Sequence, residues 1–361
     1  MKAAGGLEVD LGLIEGFYGR PWTWAARAET IAFLAPHGYG FYLYAPKADP
    51  YLRRRWREPW PEATRQALTD LAARCAELGV RFGVGLSPFE IYLSFDEAAK
   101  ADLARKLAEL NAIGVAELAI LFDDMRGDLP GLAGAQIEIV EWIAARAGGK
   151  RLILCPTYYS DDRVLDRVFG MRPDGYLEAL GTGLDPAIDV FWTGEEVCSR
   201  AYGLGHLSRV AGTLRRPPVI WDNYPVNDGP VMSQSLHLRA FTGRPAAMGG
   251  AVRGHAVNPA SQPVLSRIPA LTLAQSYRLG DAYDYGAALG RAAADVLGDD
   301  LAAIVTGQLS ALQDAGLDRL DEAARSRLRK RYEGIDHPAA AEILAWLDGA
   351  WTISRADIES S

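Results

Sequence analysis

Eight short apolar runs alternate with segments of helical periodicity, and a stretch that is helical only closes the chain. This order predicts an α/β fold: a (β/α)8 barrel over residues 8–280, then a C-terminal helical segment over 281–361. The runs are nearly continuous in apolar residues, as expected for strands covered on both faces. Each is closed by Pro, Gly, Asp or Asn. In chain order they are LGLIEGF (11–17), YGFYLYAP (39–46), RFGVGLSP (81–88), ELAILFDD (117–124), RLILCPT (151–157), DVFWTG (189–194), PPVIWDN (217–223) and AAMGGAVRG (246–254).

Helical periodicity marks EATRQALTDLAARCAELG (62–79), FDEAAKADLARKLAELNAIG (95–114), AQIEIVEWIAARAGG (135–149) and EEVCSRAYGLGHLSRVAG (195–212). Gly79 and Gly114 are placed as helix C-caps. The crossover over 224–245 is expected to be mostly loop. After residue 280 the strands stop, and DYGAALGRAAADVLG, LAAIVTGQLSALQDAG, DEAARSRLRKRYEG and PAAAEILAWLDGAW read as amphipathic helices. These helices are expected to pack on the barrel or on a partner, and they are a candidate homo-oligomer interface. A doubly wound open sheet is the competing fold. It usually carries a glycine-rich phosphate turn between a strand and a helix. GLGH and GTGL do not have that placement.

Composition narrows the function. Of 361 residues, 49% are apolar and the formal net charge is −8. The longest basic run is RRRWR (53–57), read as a solvated or ion-paired face. This balance argues against nucleic-acid and anionic-membrane partners. Cys75, Cys155 and Cys198 are too few and scattered for a disulfide framework or a zinc site, and read as free thiols. The first residues lack the apolar core of a secretory signal. No segment approaches the ~18 apolar residues of a membrane span. A cytoplasmic location is the expectation.

In a barrel of this kind, chemistry gathers where the strands end. Those ends carry Glu15, Gly16, Lys47, Asp123, Asp124, Thr157 to Tyr159, Trp192, Trp221 to Asn223, and Asn258. Carboxylates, a lysine, amides and aromatic faces together suit a sugar better than a phosphate. A metal site could draw on Asp123, Asp124, Asp128, Asp161, Asp162, Asp222 and Asp228. Hydrolytic metal sites usually use several histidines, and only His255 lies just beyond an expected strand. No metal and no cofactor is therefore expected. The glycine-rich GLAGA stretch with Gly134, after Asp128, suggests a mobile loop near the site.

The motifs LIEGFYGRPW, YLYAPKADP, RRWREPW, LFDDM, CPTYY, FWTG, WDNYPVND and VNP occur in that order. Together they resemble glycoside hydrolase family 84, the β-N-acetylglucosaminidases that include the protein O-GlcNAcases. The resemblance covers roughly residues 11–277 and implies the same barrel. It also implies retaining exo-hydrolysis of terminal β-linked GlcNAc from a glycoprotein or glycan. The attacking group would be the sugar's own 2-acetamido oxygen, through an oxazoline intermediate.

Two adjacent carboxylates then have separate tasks. Ordinary glycosidases hold their carboxyls about 5 Å or more apart across the scissile bond, which neighbours on one strand end do poorly. Carried over by motif, Asp123 would hold the acetamido nitrogen and Asp124 would be the general acid and then base. Mutual repulsion and partial burial would raise the pKa of one of them. Tyr159, Asn223, Trp192 and Trp221 would shape the acetamido pocket, with Cys155 near its methyl group. The Gly16 backbone, Lys47, Asp228 and Asn258 would bind ring hydroxyls. Tyr158 departs from the Glu that many relatives carry there, which bears on the support behind Tyr159. The alternatives are a non-hydrolytic GlcNAc-binding barrel and a metal-dependent hydrolase.

Overall fold

A computed structural model describes residues 9–359. Eight parallel strands close into a barrel in sequence order: β1 Leu11–Glu15, β2 Tyr39–Tyr44, β3 Arg81–Leu86, β4 Glu117–Leu121, β5 Arg151–Cys155, β6 Asp189–Trp192, β7 Val219–Asp222 and β8 Gly254–Val257. Strand β1 closes the ring, pairing Leu13 with Tyr42 on one side and with Val257 on the other. Helices α1 Trp24–Leu34, α2 Glu62–Glu77, α3 Glu97–Ile113 and α4 Leu132–Ala144 cover the first half. Helices α5 Val164–Phe169, α6 Tyr176–Gly183, α7 Leu204–Leu214 and α8 Arg267–Leu279 cover the second.

Alternation along each strand sorts side chains between two cores. Ile14, Phe41, Leu43, Leu121, Ile153, Phe191 and Trp221 fill the barrel interior. Their neighbours Leu13, Tyr42, Ile120, Leu154, Trp192 and Ile220 pack outward under the helices. Charges tie the strands at their N-terminal ends. Arg81 reaches Asp10 at 2.7 Å and also Glu117, and Arg151 bridges Asp10 and Asp189, each at 2.8 Å.

Seven of the eight expected strands are present, each shorter than its apolar run. The eighth is displaced. Residues 246–250 form a short helical turn, and the strand is GHAV, from Gly254 to Val257. The Ala- and Gly-rich run lacks the β-branched character of a strand. The true strand carries a buried histidine, whose Nε2 lies 3.0 Å from Asp222 and whose Nδ1 lies 2.8 Å from the Tyr277 hydroxyl. The expected mobile loop is also absent, because Gly134 lies inside α4. Residues 195–203 are not helical, and α7 begins at Leu204. Between β7 and β8 there are only short turns, as expected.

The C-terminal segment packs on its own barrel. Its helices are α9 Tyr285–Leu297, α10 Asp299–Thr306, α11 Glu322–Tyr332, α12 Pro338–Leu347 and α13 Arg355–Glu359, with a π-helical turn at Ser310–Ala315. Gln313 accepts hydrogen bonds from the backbone of Leu238 and Arg239, at 2.8 and 2.9 Å. Glu342 on α12 accepts from the backbone N–H groups of Val264 and Leu265, at 2.9 and 3.0 Å. This buried carboxyl clamps α12 to the loop that leads into α8.

Burial pushes the Glu342 carboxyl up to about 7 from an ordinary 4.5, against the pull of those two donors and of Arg267. The folded chain thus keeps a proton between these values that the unfolded chain releases. Stability from this group is full below pH 4.5 and is lost as pH rises to about 7. Glu342→Gln cannot titrate. Between pH 4.5 and 8, the stability difference between the two proteins is expected to move against the wild type by about 1–3 kcal/mol. Urea midpoints across that range measure it, and a constant difference would show that Glu342 does not titrate there.

Candidate active site

At the C-terminal mouth of the barrel lies a cavity of about 240 Å3. It brings together Gly16, Lys47, Asp123, Asp124, Cys155, Tyr159, Trp221, Asn223, Asp228 and Asn258. These are ten of the eleven residues singled out from the sequence. They come from the ends of six strands, and strand alternation selects most of them. On β1, Ile14 and Gly16 face inward and Glu15 outward. On β7, Trp221 and Asn223 face inward and Asp222 outward.

The outward residues are structural. Glu15 holds Arg27 of α1 through two bonds of 2.7 Å and accepts from the Tyr42 hydroxyl. Asp222 is held by Arg244 at 2.6 and 2.8 Å and by His255. Against burial, that arginine keeps its carboxyl below the usual range.

Trp192 is the residue that the structure removes from the site. It follows inward-facing Phe191, so its ring turns to the outer core, 0% exposed. There its indole N–H donates to His206 at 3.0 Å, and the two rings stack. Thr193, the next inward position, lines the cavity instead. Tyr158 turns away from the cavity as well, donating its hydroxyl to the Gly170 carbonyl at 2.6 Å and packing edge-on to Tyr176. Its neighbour Tyr159 keeps the inward position.

Asp123 and Asp124 would face opposite ways if the strand simply continued. The backbone turns instead: Asp124 has φ 56°, in the left-handed region that few non-glycine residues occupy. Both carboxylates thereby reach one cavity. Lys47, buried beyond β2, bonds to Asp123 and lies 3.1 Å from Asp124. Its ammonium therefore bridges the aspartates while also lining the cavity. Burial alone would lower the Lys47 pKa, but the two carboxylates outweigh it and raise it.

The expectation of a raised pKa in this pair needs correction for Asp124. Burial favours its neutral form, yet Lys47, Arg53 and the Tyr18 hydroxyl together hold it below the usual range. Arg53 is buried, not part of a solvated face. The carboxyl pushed upward is Asp228, which burial raises to about 6.

Tyr18 was not singled out from the sequence, although it lies within a quoted motif. Its hydroxyl donates to Asp124 at 2.6 Å and its N–H donates to Asp228 at 3.0 Å. A second chain of bonds fixes the cavity floor. Asn258 accepts from the Gly16 N–H at 3.2 Å and donates to Asn223 at 3.0 Å, and Asn223 also accepts from the Trp221 indole at 3.0 Å. Gly16 must be glycine, since a Cβ there would lie 2.4 Å from the Trp221 ring.

Cys155 lies in the barrel interior, and its thiol is pushed well above its ordinary pKa by burial and by Asp123. It is a packing group. Asp123 Oδ1 is buried with no hydrogen-bond partner, which is costly for a carboxylate oxygen unless a ligand donates to it. Among the described residues, no three His, Cys, Asp or Glu side chains are grouped to hold a metal ion. No helix among them is long and apolar enough to cross a membrane.

Known proteins share this sequence and this fold. The family model NAGidase, beta-N-acetylglucosaminidase, matches residues 11–310. Protein O-GlcNAcase of Mus musculus is 31% identical over 287 residues, covering 76% of this chain and 31% of that protein. Protein O-GlcNAcase of Rattus norvegicus matches to the same extent. The chain thus spans about a third of the length of these relatives. Among solved structures, an O-GlcNAc hydrolase variant from Thermobaculum terrenum superposes with a TM-score of 0.79 at 30% identity, covering 94% of this chain and 80% of that one. By sequence and by fold, the chain belongs to the β-N-acetylglucosaminidase family of glycoside hydrolases.

Proposed function

We propose that this protein is a retaining exo-β-N-acetylglucosaminidase of O-GlcNAcase type that works by substrate-assisted catalysis. The observation that carries the reading is the unpartnered Asp123 Oδ1 in the cavity, next to an Asp124 held by Tyr18 and Lys47. An acetamido N–H supplies the missing donor. With Lys47 on its other oxygen, Asp123 accepts and polarises that N–H, which makes the acetamido oxygen a better nucleophile.

The acetamido oxygen then bonds to the anomeric carbon as the glycosidic C–O bond breaks, and Asp124 gives its proton to the departing oxygen. In the second step Asp124 takes a proton from water. The water oxygen bonds to the anomeric carbon and the ring of the oxazoline opens. Two inversions at that carbon give retention. Asp228 and Asn258 anchor the ring hydroxyls, while Tyr159, Asn223 and Trp221 shape the acetamido pocket. Lys47 supplies the positive charge between the carboxylates, so the chemistry asks for no metal. The substrate is a terminal GlcNAc on a glycoprotein or glycan. A cytoplasmic setting belongs to the same proposal, supported by three cysteines that stand as free thiols.

The roles of the aspartates separate by leaving group. Asp124→Asn is expected to lose about 10²–10⁴-fold on a substrate with an alkoxide leaving group. It should lose far less on an activated aryl glycoside, whose first step needs little protonation. Asp123→Asn should be impaired on both, because ring closure is required whatever departs. Rates across a series of aryl leaving-group pKa values decide the matter. A steeper dependence for Asp123→Asn than for Asp124→Asn would reverse the assignment.

Asp228 gives a pH signature. Ionised, it accepts from sugar hydroxyls in charge-assisted bonds, each about 1.5–3 kcal/mol. Protonated, it loses much of that. Efficiency (kcat/KM) on an aryl GlcNAc substrate should therefore rise with pH through about 6. Asp228→Asn should have lower efficiency and a flattened acid limb. An acid limb unchanged in this variant would remove Asp228 from that titration.

A further inference from the structure

Ile358, on α13, lines the cavity although it lies more than a hundred residues beyond the last barrel strand. The strap that carries it, residues 349–359, is fastened at three places. Ile353 is buried and donates its N–H to the Ser233 hydroxyl at 3.1 Å. Its side chain also fits over Gly19, which has φ 93°; a Cβ there would lie 2.6 Å from Ile353 Cδ1. The Arg20 guanidinium lies over the Trp351 ring, 5.7 Å from its centre.

These fastenings share one side of the barrel mouth. Gly19 and Arg20 follow β1, while Ser233 and its neighbour Met232 follow β7. The same two loops meet where the Tyr18 N–H bonds to Asp228. In the closed ring of eight strands, β8 lies between β7 and β1 and stands opposite β4. The catalytic aspartates come from the β4 end. A sugar with its anomeric carbon at Asp124 and its far hydroxyls at Asp228 must span the mouth between these sides. Ile358 lines the same cavity as Asp228, Val226, Gly229 and Met232, and its strap is fastened to the loops after β1 and β7, on the Asp228 side.

We propose that the C-terminal strap is a wall of the sugar pocket, and that Ile358 sets which substituents the sugar carries at its far hydroxyls. The pocket takes a non-reducing-end GlcNAc with those hydroxyls free and rejects one that is alkylated or extended there. This rests on the glycosidase reading above, because that reading orients the sugar. An apolar wall has nothing to offer a hydroxyl. Its effect is exclusion: a methyl group added against it meets a filled volume, which costs about tenfold or more in discrimination.

The test compares an aryl β-GlcNAc with the same glycoside methylated at the hydroxyl of carbon 4 or of carbon 6. The readout is the ratio of kcat/KM for each methyl ether to that of the parent. Wild type should reject at least one ether by tenfold or more. Ile358→Ala should raise that ratio about tenfold, and Ile358→Trp should lower it. Thermal midpoints report whether each variant is folded. Equilibrium binding of GlcNAc and of its two methyl ethers gives the same ratios without turnover. A wild type that hydrolyses nothing yet discriminates in binding would overturn the glycosidase reading and leave the wall standing. Ratios identical in wild type, Ile358→Ala and Ile358→Trp would overturn the wall.

Discussion

One buried ammonium makes this site workable. Lys47 bonds to Asp123 and lies 3.1 Å from Asp124, and without it two adjacent carboxyl groups would face each other with no cation between them. At contact distances such a charge pair gains on the order of 4 kcal/mol in a protein environment. The lysine makes two such contacts, against one repulsion between the carboxylates. The left-handed backbone at Asp124 costs about 1–3 kcal/mol and is what lets both side chains share the cation. From Asp124 the contacts run on to the Tyr18 hydroxyl and, through the Tyr18 backbone, to Asp228. The charged half of the cavity is thus one connected structure, and Lys47 stands at its root.

The other half follows from strand alternation. Where an apolar run ends, alternate residues enter the cavity, and the residue between them is committed to the outer core. Asp222 and Trp192 are the informative cases. Both are chemically suited to a sugar site, and both sit in motifs that resemble the family. They are nonetheless turned away, one into the Arg244 and His255 pairings and the other onto His206. Residue type alone could not separate Trp192 from Trp221. Register could, because Phe191 fills the barrel interior immediately before Trp192.

Much of the fold was legible because the signal is local. Continuous apolar runs and helical periodicity mark seven strands and most of the helices. The eighth strand was hidden by His255, a polar residue paid for by Asp222 and Tyr277, contacts that the sequence does not display. The candidate site was legible wherever a strand end carried it. Ile358 was not, since a lone isoleucine in a C-terminal helix has no marker. Its place is set by Ile353 packing on Gly19, which is a tertiary fact. The direction of the Asp124 pKa was missed for the same reason: adjacency in sequence revealed the repulsion, but not the lysine and arginine that outweigh it.

That electrostatic balance bears on the order of events. In the free site Asp124 is held toward its ionised form, the state of a general base, while the first chemical step asks it to be an acid. Its side chain is about a quarter exposed, so water still helps to stabilise the charge. A bound sugar displaces that water and increases desolvation, which favours the protonated form. That effect depends on a sugar filling the pocket. In the proposed mechanism Asp124 becomes an acid because the right sugar is seated, so recognition of the substrate and the readiness of its proton donor are the same event.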